Sequence, residues 1–427
     1  MAPTPLSPLD VAFLCLERTT APMHMGAVLT FAPDGPVDPG RLTAVLARRA
    51  AEIPLLRRKT RDARFPPGAA VCVDDPDFEA AQHIHHHRLS ALDGPDPLAE
   101  FASRWIAGPL DPGRPRWDLT VLTGPADDGF AVLLKLHHAL TDGAGAYAVG
   151  AGLLDGSRPA RHRATAVPRP RSPLDAVRDT IETAGIASSV VRAARPPRSP
   201  VSAPATAGRR LGFAQLPVAD LRRIRRAHGG TTNDVVLAVL SGALRDWLVN
   251  RGIRADGRTL RALVPVSVRG RAAGQTGGNK LSGYLCELPV GQADPVRRLQ
   301  LVRAAMTRNK AAGPARGAGA FPLLADRVPA ALHRLGTRTA GLAAPLLFDL
   351  VVTTVPLPSA PLALAGAPLT QIHPFVPLAP RQAVAVAVAP YRDTVHIGLQ
   401  ANADAAGHLG SLRDAVAKSA AELLHTS

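Results

Sequence analysis

The residues best suited to chemistry lie in one short segment, residues 133–143, with the sequence LLKLHHALTDG. A mostly apolar run from Phe130 predicts a buried strand that ends in the adjacent histidines His137 and His138. Because side chains alternate along a strand, His138 shares a face with Leu136 while His137 points the other way, so only one imidazole can face a given cleft. Histidine has an unperturbed pKa of ~6.5, so a neutral ring in that cleft can accept a proton as a general base.

An aspartate and a glycine, Asp142 and Gly143, follow these histidines across a turn. Asp142 could orient a histidine ring directly or hold the loop through an arginine, and the sequence leaves both arrangements open. Gly143 permits a backbone conformation or a close approach that a side chain would block. Two histidines that merely end a strand are the simpler explanation of the pair alone, but the Asp-Gly that follows favours a catalytic segment.

The elements that must position this segment form a first region, residues 1–155, in which strand and helix patterns alternate. Short strands are predicted at residues 28–31 and 71–73, and a helix is predicted over residues 38–53 from its apolar spacing. Residues 156–210 contain eight prolines among arginines and alanines, which predicts a linker. Within it, residues 174–194 could form an amphipathic helix, more readily packed on the domain surface than on a membrane.

A second region begins near residue 211 and has its own set of predicted elements. A long buried helix is predicted over residues 231–250, capped by Thr232 or Asn233. Alternating and apolar runs then predict strands at 261–268, 281–290, 383–388 and 394–399, the last two joined as a hairpin around residues 391–393.

Length and composition limit the classes of protein that fit. The 427 residues predict two domains or three small ones, and an apolar content of 46% allows large cores. The net charge of +16 permits an anionic cofactor or a membrane surface, whereas the aromatic content of 4% argues against a nucleic-acid partner. Without a run of ~18–20 apolar residues or a secretory signal, we expect a cytoplasmic protein that can touch a membrane surface.

The segment from His137 to Gly143 fits the HHxxxDG pattern of the CoA-dependent acyltransferase superfamily, which includes chloramphenicol acetyltransferase, carnitine acyltransferases and peptide-synthetase condensation domains. The wider chain resembles the bacterial bifunctional wax ester synthase/diacylglycerol acyltransferase family. Ordered blocks carry this closer resemblance: residues 6–13, 23–26, 109–117 (PLDPGRPRW), 232–238 (TNDVVLA), 263–269 (LVPVSVR), and 278–280 with 288–289 and 294–295. With weaker similarity beyond them, the resemblance extends from residue 6 to about residue 400.

The resemblance implies an α/β (α+β) fold of two chloramphenicol-acetyltransferase-like domains, each a mixed sheet with helices. Residues 1–155 would be the N-terminal half that carries HHxxxDG, residues 156–210 the linker, and residues 211–427 the C-terminal half. An active-site tunnel would lie at their interface. Acyl-CoA would enter it as co-substrate from one mouth and the acceptor from the other, with no permanently bound cofactor and no metal.

The same resemblance assigns roles to the residues of the motif. His138 would be the general base that deprotonates an acceptor hydroxyl, whose oxygen attacks the thioester carbonyl directly without an acyl-enzyme. His137 would support it, Asp142 would hold the loop and Gly143 would leave room for substrate. The tetrahedral intermediate needs hydrogen-bond donors for its oxyanion. Asn233 is a candidate donor or a structural support, although a helix cap is the simpler interpretation.

Several positions depart from the family pattern while the catalytic strand is intact. Residues 353–358 read TTVPLP where the family has SNVPGP, so Leu357 replaces a glycine suited to positive φ. Arg116 stands where the family has a leucine, and Asn402 replaces a usual aspartate. We therefore expect acyl transfer with an altered acceptor or acyl chain length, and three residues are substrate-pocket candidates: Trp117, Thr353 and Thr354.

Two other motifs allow competing interpretations. Alternate histidines in residues 83–88 would share a strand face and could bind a metal, yet no carboxylate or cysteine pattern accompanies them, which favours an edge strand instead. Residues 274–280 faintly resemble a phosphate-binding loop but lack its Gly-Lys-Ser/Thr ending.

The sequence therefore predicts an O-acyltransferase that moves a fatty acyl group from acyl-CoA to a long-chain alcohol or diacylglycerol and that can associate peripherally with a membrane or lipid droplet. One alternative is the same chemistry on a specialised metabolite or a carrier-bound intermediate. A second alternative is a non-catalytic lipid-surface protein that uses its positive charge.

Overall fold

A computed structural model of the protein describes residues 3–90, 96–124, 129–156, 183, 187–188, 199–204, 206–267, 281–313, 320–335, 346–358 and 360–427. The first half of the chain contains β1 (Thr4–Pro5), α1 (Pro8–Leu16), β2 (His24–Phe31), α2 (Pro39–Glu52), β3 (Arg58–Asp62), β4 (Ala70–Asp74), β5 (Ile84–Arg88), α3 (Pro97–Ala107), β6 (Trp117–Thr123), β7 (Phe130–His137) and α4 (Gly143–Leu153).

The second half contains β8 (Arg209–Pro217), α5 (Val218–His228), α6 (Thr232–Asn250), β9 (Leu260–Ser267), β10 (Leu281–Leu288), α7 (Pro295–Ala312), α8 (Phe321–Arg327), β11 (Leu350–Thr354), β12 (Ala363–Leu364), β13 (Ala367–Phe375), β14 (Val384–Tyr391), β15 (Thr394–Asn402) and α9 (Leu409–His425). Among the described residues, no helix is both long and apolar enough to cross a membrane.

Two six-stranded mixed sheets form the framework of the molecule. The first has the order β12-β13-β2-β7-β6-β5 and the second has the order β10-β9-β11-β14-β15-β8. Most neighbours are antiparallel, but β5 is parallel to β6, and β11 is parallel to both β9 and β14. A small third sheet has the order β1-β4-β3. The predicted α/β fold with two mixed sheets and helices is confirmed.

The first sheet is completed by strands from the second half of the chain. Strands β12 and β13 belong to the predicted C-terminal half, yet β13 pairs antiparallel with β2 of the first sheet. The two sheets approach closely here, since a Cβ on Gly398 would lie 1.8 Å from the carbonyl oxygen of Pro374. Residues 363–375 therefore belong to the N-terminal sheet, and the division at residues 1–155 and 211–427 stays a prediction.

Part of the predicted linker is packed rather than free. Val201 is fully buried, and its carbonyl accepts a hydrogen bond from the Ala383 amide at 2.9 Å. The Ala203 amide donates to the carbonyl of Arg381 at 3.0 Å. The final residues, from Arg209, already belong to β8, whereas the candidate helix at 174–194 lies almost wholly outside the described residues.

The long helix α6 has its predicted extent but a different cap. Thr231 is the N-cap, and its hydroxyl accepts from the Asp234 amide while the Asp234 carboxylate accepts from the Thr231 amide. This reciprocal pair is a capping box. The prediction that Thr232 or Asn233 caps the helix was wrong, because the acidic residue that completes the box lies three positions after Thr231.

Candidate active site

The strand β7 lies inside the first sheet, between β2 and β6, and ends at the histidine pair. His137 is completely buried, while His138, one residue past the strand, is partly exposed. The backbone amide of His138 donates to the carbonyl of Met23 at 2.8 Å. The ring of Phe13 stacks on the His138 imidazole, with centroids 4.1 Å apart and planes inclined by 21°. Both the backbone and the ring of His138 are therefore fixed by neighbouring elements.

The protonation state of His137 follows from its contacts. Its Nδ1 accepts a hydrogen bond from the amide of Ala139 at 3.0 Å, so Nδ1 carries no proton and the neutral ring is protonated at Nε2. Burial lowers the pKa of His137, which keeps the ring neutral. The geometry thus suits His137 to support the turn rather than to exchange protons with substrate.

A carboxylate that sequence reasoning missed lies beside the first histidine. Oε2 of Glu17 is 3.3 Å from Nε2 of His137, without the alignment of a full hydrogen bond, and its Oε1 is 3.5 Å from Nε2 of His24. Arg116 donates to Oε2 at 2.8 Å. Burial favours a higher pKa for Glu17, but contacts with His137, His24 and Arg116 outweigh it and hold the pKa well below its usual range.

Asp142 and Gly143 begin the helix that follows the histidines. Asp142 is buried and is the N-cap of α4, where its Oδ1 accepts from the amide of Gly145 at 3.0 Å. This contact supports the loop-holding role predicted for Asp142. Gly143 has no positive φ, and a Cβ there would meet Cγ2 of Val355 at 3.9 Å, an ordinary van der Waals contact, so its role of leaving room for substrate stays a prediction. At Gly145, by contrast, a Cβ would lie 1.7 Å from Oγ1 of Thr141.

An apolar cavity opens along one face of α4. The helix and its C-cap residue contribute residues at helical spacing, namely Gly143, Ala146, Tyr147, Gly150, Ala151 and Leu154. The first sheet adds Met25, Leu134 and Ile372, and the second half of the chain adds Val355, Leu357 and Ala389. The cavity therefore lies between the two sheets, as a substrate chamber at their seam requires.

The turn after β11 departs from the family pattern in sequence, and the residues that it places in the cavity wall are not the predicted Thr353 and Thr354. Thr353 lies within β11 and Thr354 is exposed, and the cavity wall contains Val355 and Leu357 in their place. Leu357 does not adopt a positive φ, so the leucine is accommodated without backbone strain. The hydroxyl of Thr354 donates to Oδ1 of Asn233 at 3.3 Å, which gives Asn233 a structural contact; its oxyanion role stays a prediction.

Trp117 is not a pocket residue, which corrects the prediction. Its side chain is 2% exposed, and its indole N–H donates to the carbonyl of Leu56 at 2.7 Å. The ring stacks on buried His83, with centroids 4.5 Å apart.

Strand β5, which begins directly after His83, is an edge strand, as predicted, and its three histidines are exposed. No cluster of three metal-binding side chains occurs among the residues that the structure describes.

Solved structures with this architecture define the class of the fold. The trichothecene 15-O-acetyltransferase of Fusarium sporotrichioides has a TM-score of 0.67 over 98% of this chain and 95% of that chain, at 13% identity. The wax ester synthase/diacylglycerol acyltransferase of Marinobacter aquaeolei has a TM-score of 0.75 at 25% identity and covers 98% of both chains. The protein thus has the chloramphenicol-acetyltransferase-like fold, with its HHxxxDG turn beside the cavity between the sheets.

Sequence comparison then identifies the family. The model of the wax ester synthase/diacylglycerol acyltransferase catalytic domain matches residues 6–178 and 171–236, and the model of the family's C-terminal domain matches residues 277–424. A Mycobacterium tuberculosis protein named as a probable diacylglycerol O-acyltransferase is 31% identical over 99% of this chain and 96% of its own length. The chain belongs to the wax ester synthase/diacylglycerol acyltransferase family and is an O-acyltransferase, which confirms the resemblance and the class of enzyme.

Proposed function

We propose that the protein transfers a fatty acyl group from acyl-CoA to the hydroxyl of an apolar alcohol, either a long-chain alcohol or diacylglycerol, with His138 as general base. The observation that carries this proposal is the position of His138: partly exposed, stacked on Phe13, and next to the turn from which Gly143 enters the cavity wall. Gly143, five residues after the base, lies in the wall of the apolar cavity, which suits a lipid acceptor that brings one hydroxyl to His138.

The reaction needs one proton carrier. His138 removes the proton of the acceptor hydroxyl while its oxygen bonds to the thioester carbonyl carbon. When the tetrahedral intermediate collapses, the carbon–sulfur bond breaks and the imidazolium returns the proton to the departing CoA thiolate. A general base contributes ~10²–10⁴-fold, and holding the two substrates together supplies most of the remainder. Asn233 remains the proposed donor to the oxyanion or support for its site.

The test is replacement of the base with the fold preserved. His138→Ala should lower kcat for ester formation by about 10²–10⁴-fold, since this is the share of rate that a positioned base supplies. His86→Ala, an exposed histidine on β5, is the matched control and should retain wild-type turnover. Circular dichroism and thermal unfolding confirm the fold of both variants. Wild-type-like turnover by folded His138→Ala would contradict the proposal.

The alternative of a polar, specialised acceptor rested on Arg116 and the altered turn. Arg116 points to Glu17 rather than into the cavity, and Leu357 adds apolar surface to the wall. Both observations favour a lipid acceptor. Ester formation with a polar alcohol, and none with long-chain alcohols or diacylglycerol, would reverse this preference.

We propose further that the enzyme meets its lipid substrates at a membrane or droplet surface. Phe65, at the tip of the β3–β4 hairpin, is 84% exposed, and Leu335 is 82% exposed. The two segments are joined, because Nε of Arg334 donates to the carbonyl of Gly68 at 2.6 Å. Exposed apolar side chains beside arginines, including Arg64, suit an anionic lipid surface.

A further inference from the structure

We propose that Glu17 is a positioning residue for the acyl transfer reaction, and that Arg116 is its counter-ion. The inference rests on the proposed function of His138 as the base. Glu17 directly follows α1, and Phe13 lies four residues earlier on the same face of that helix. Phe13 stacks on His138 while Glu17 faces His137, so one helix end holds both members of the histidine pair.

Proton accounting shows that the carboxylate contributes charge and not a second hydrogen bond. Nδ1 of His137 already accepts from the Ala139 amide, so its Nε2 bears the proton that faces Oε2 of Glu17, the oxygen to which Arg116 also donates. Nδ1 of His24 lies 3.2 Å from the carbonyl oxygen of Ile106, an acceptor, so in a neutral ring the proton is on Nδ1 and Nε2 presents a lone pair to Oε1. A glutamine could keep the oxygen contact with His137 and turn its NH2 group to His24. Glu17→Gln therefore removes the charge and preserves the shape of the contact.

Arg116 is the charged partner that keeps the carboxylate ionised. Nη1 of Arg116 lies 2.8 Å from Oε2 of Glu17, and the backbone carbonyl of Arg116 also accepts from the amide of His137. The charged or titratable groups around the carboxylate are therefore His24 on β2, His137 on β7 and Arg116 before β6, with the neighbouring Arg18 donating to the Glu17 carbonyl. The arginine replaces the leucine of the family pattern, so this chain has added a cation to the cluster.

The contacts reach His138 through the backbone. The ring of His137 holds the Ala139 amide, on one side of His138. The amide of His138 itself is held by the carbonyl of Met23, which precedes His24 in the chain. Glu17 faces the His137 ring that holds one attachment point of the turn, and it lies beside His24, next to the other. Loss of its charge should therefore disturb the orientation of the base more than the binding of substrate.

The experiment compares two variants that remove charges of opposite sign. Glu17→Gln should lower kcat by roughly tenfold to a hundredfold, with the KM for acyl-CoA within about threefold of wild type. Removal of a negative charge disfavours the imidazolium of His138, so the acid limb of kcat/KM should move to lower pH by roughly half a unit to one unit. Arg116→Leu should lower kcat less than Glu17→Gln does, because His137 still faces the carboxylate, and should move the same limb to higher pH. Structural damage alone would not produce shifts of opposite sign.

Asp155→Asn is the matched control, because it removes an ion pair with Arg49 of similar exposure at the far end of α4. It should leave the pH profile unchanged. If Glu17→Gln fails to fold, the shift in Arg116→Leu still decides the matter. Unchanged pH profiles of kcat/KM in folded Glu17→Gln and Arg116→Leu, or a change in KM without a change in kcat, would overturn the inference. Inactive His138→Ala with an unaffected Glu17→Gln would reject only this inference, whereas active His138→Ala would reject the proposed function.

Discussion

The substrate chamber can be tested by filling it from helix α4. Gly150 lies on the face of α4 that lines the cavity, and a Cβ at this position would meet Cδ2 of Leu134 at 3.9 Å, an ordinary van der Waals contact. A leucine side chain can therefore start there without moving the backbone and extend into the apolar space. Leucine is also a better helix former than glycine by roughly 1 kcal/mol, so Gly150→Leu should not lower the thermal stability.

The size of the effect follows from the volume that the new side chain takes. Leucine adds four carbons, which would displace about four methylenes of a bound alkyl chain. At about 0.8 kcal/mol for each buried methylene, the loss is about 3 kcal/mol, or roughly 200-fold in kcat/KM. Substrates too short to reach Gly150 should be affected little, so the selectivity between long and short chains should change by that factor.

The assay is ester formation with two series of substrates. Acyl-CoAs of increasing length are compared with one alcohol, and alcohols of increasing length are compared with one acyl-CoA. The series in which Gly150→Leu shortens the preferred chain identifies which substrate occupies the cavity. Ala144→Leu, at an exposed position of the same helix, is the control and should leave both series unchanged. Equal loss for short and long chains, or no loss in either series, would refute the assignment of this cavity as the chain site.

Two further predictions concern the surface and the stability of the protein. Phe65→Ser combined with Leu335→Ser should reduce sedimentation with anionic vesicles severalfold, while Val249→Ser, at another exposed apolar position, should not; equal losses would contradict the docking surface. Burial lowers the pKa of His373 to about 3 and that of His396 to about 4, so protonation favours the unfolded chain. The part of the free energy of unfolding that depends on these neutral histidines is fully present above pH ~6.5. It should fall by roughly 2–3 kcal/mol per histidine between that pH and pH ~4.5. His396→Phe should flatten this slope in urea unfolding; an unchanged slope would contradict the reasoning.

The parts of the site that are local in sequence could be predicted from it. The strand β7, the histidine pair and the turn at Asp142 lie within a few residues of one another, so periodicity and motif spacing were sufficient. The capping box of α6 is also local, but Thr231 is followed directly by Thr232 and Asn233, which are also common at helix caps. Only the acidic residue three positions after Thr231 distinguishes them, and the prediction did not use that signal.

Contacts between distant segments could not be predicted in this way. Glu17 meets His137 across 120 positions of the chain, and no spacing rule relates the two. Strand β13 was not predicted, and alternation would indicate only which of its side chains are buried and not which sheet it joins. Trp117 was a pocket candidate, whereas its indole N–H donates to the carbonyl of Leu56 in the core.

The most direct test of the account is mass spectrometry of the products made by the purified enzyme. A mixture of acyl-CoAs with a long-chain alcohol, diacylglycerol and a polar alcohol is incubated in parallel with wild-type protein and with folded His138→Ala. We expect the wild-type enzyme to form wax ester or triacylglycerol together with free CoA, and the variant to form neither above background. The account would be contradicted if His138→Ala formed as much lipid ester as the wild-type enzyme, or if the wild-type enzyme formed none.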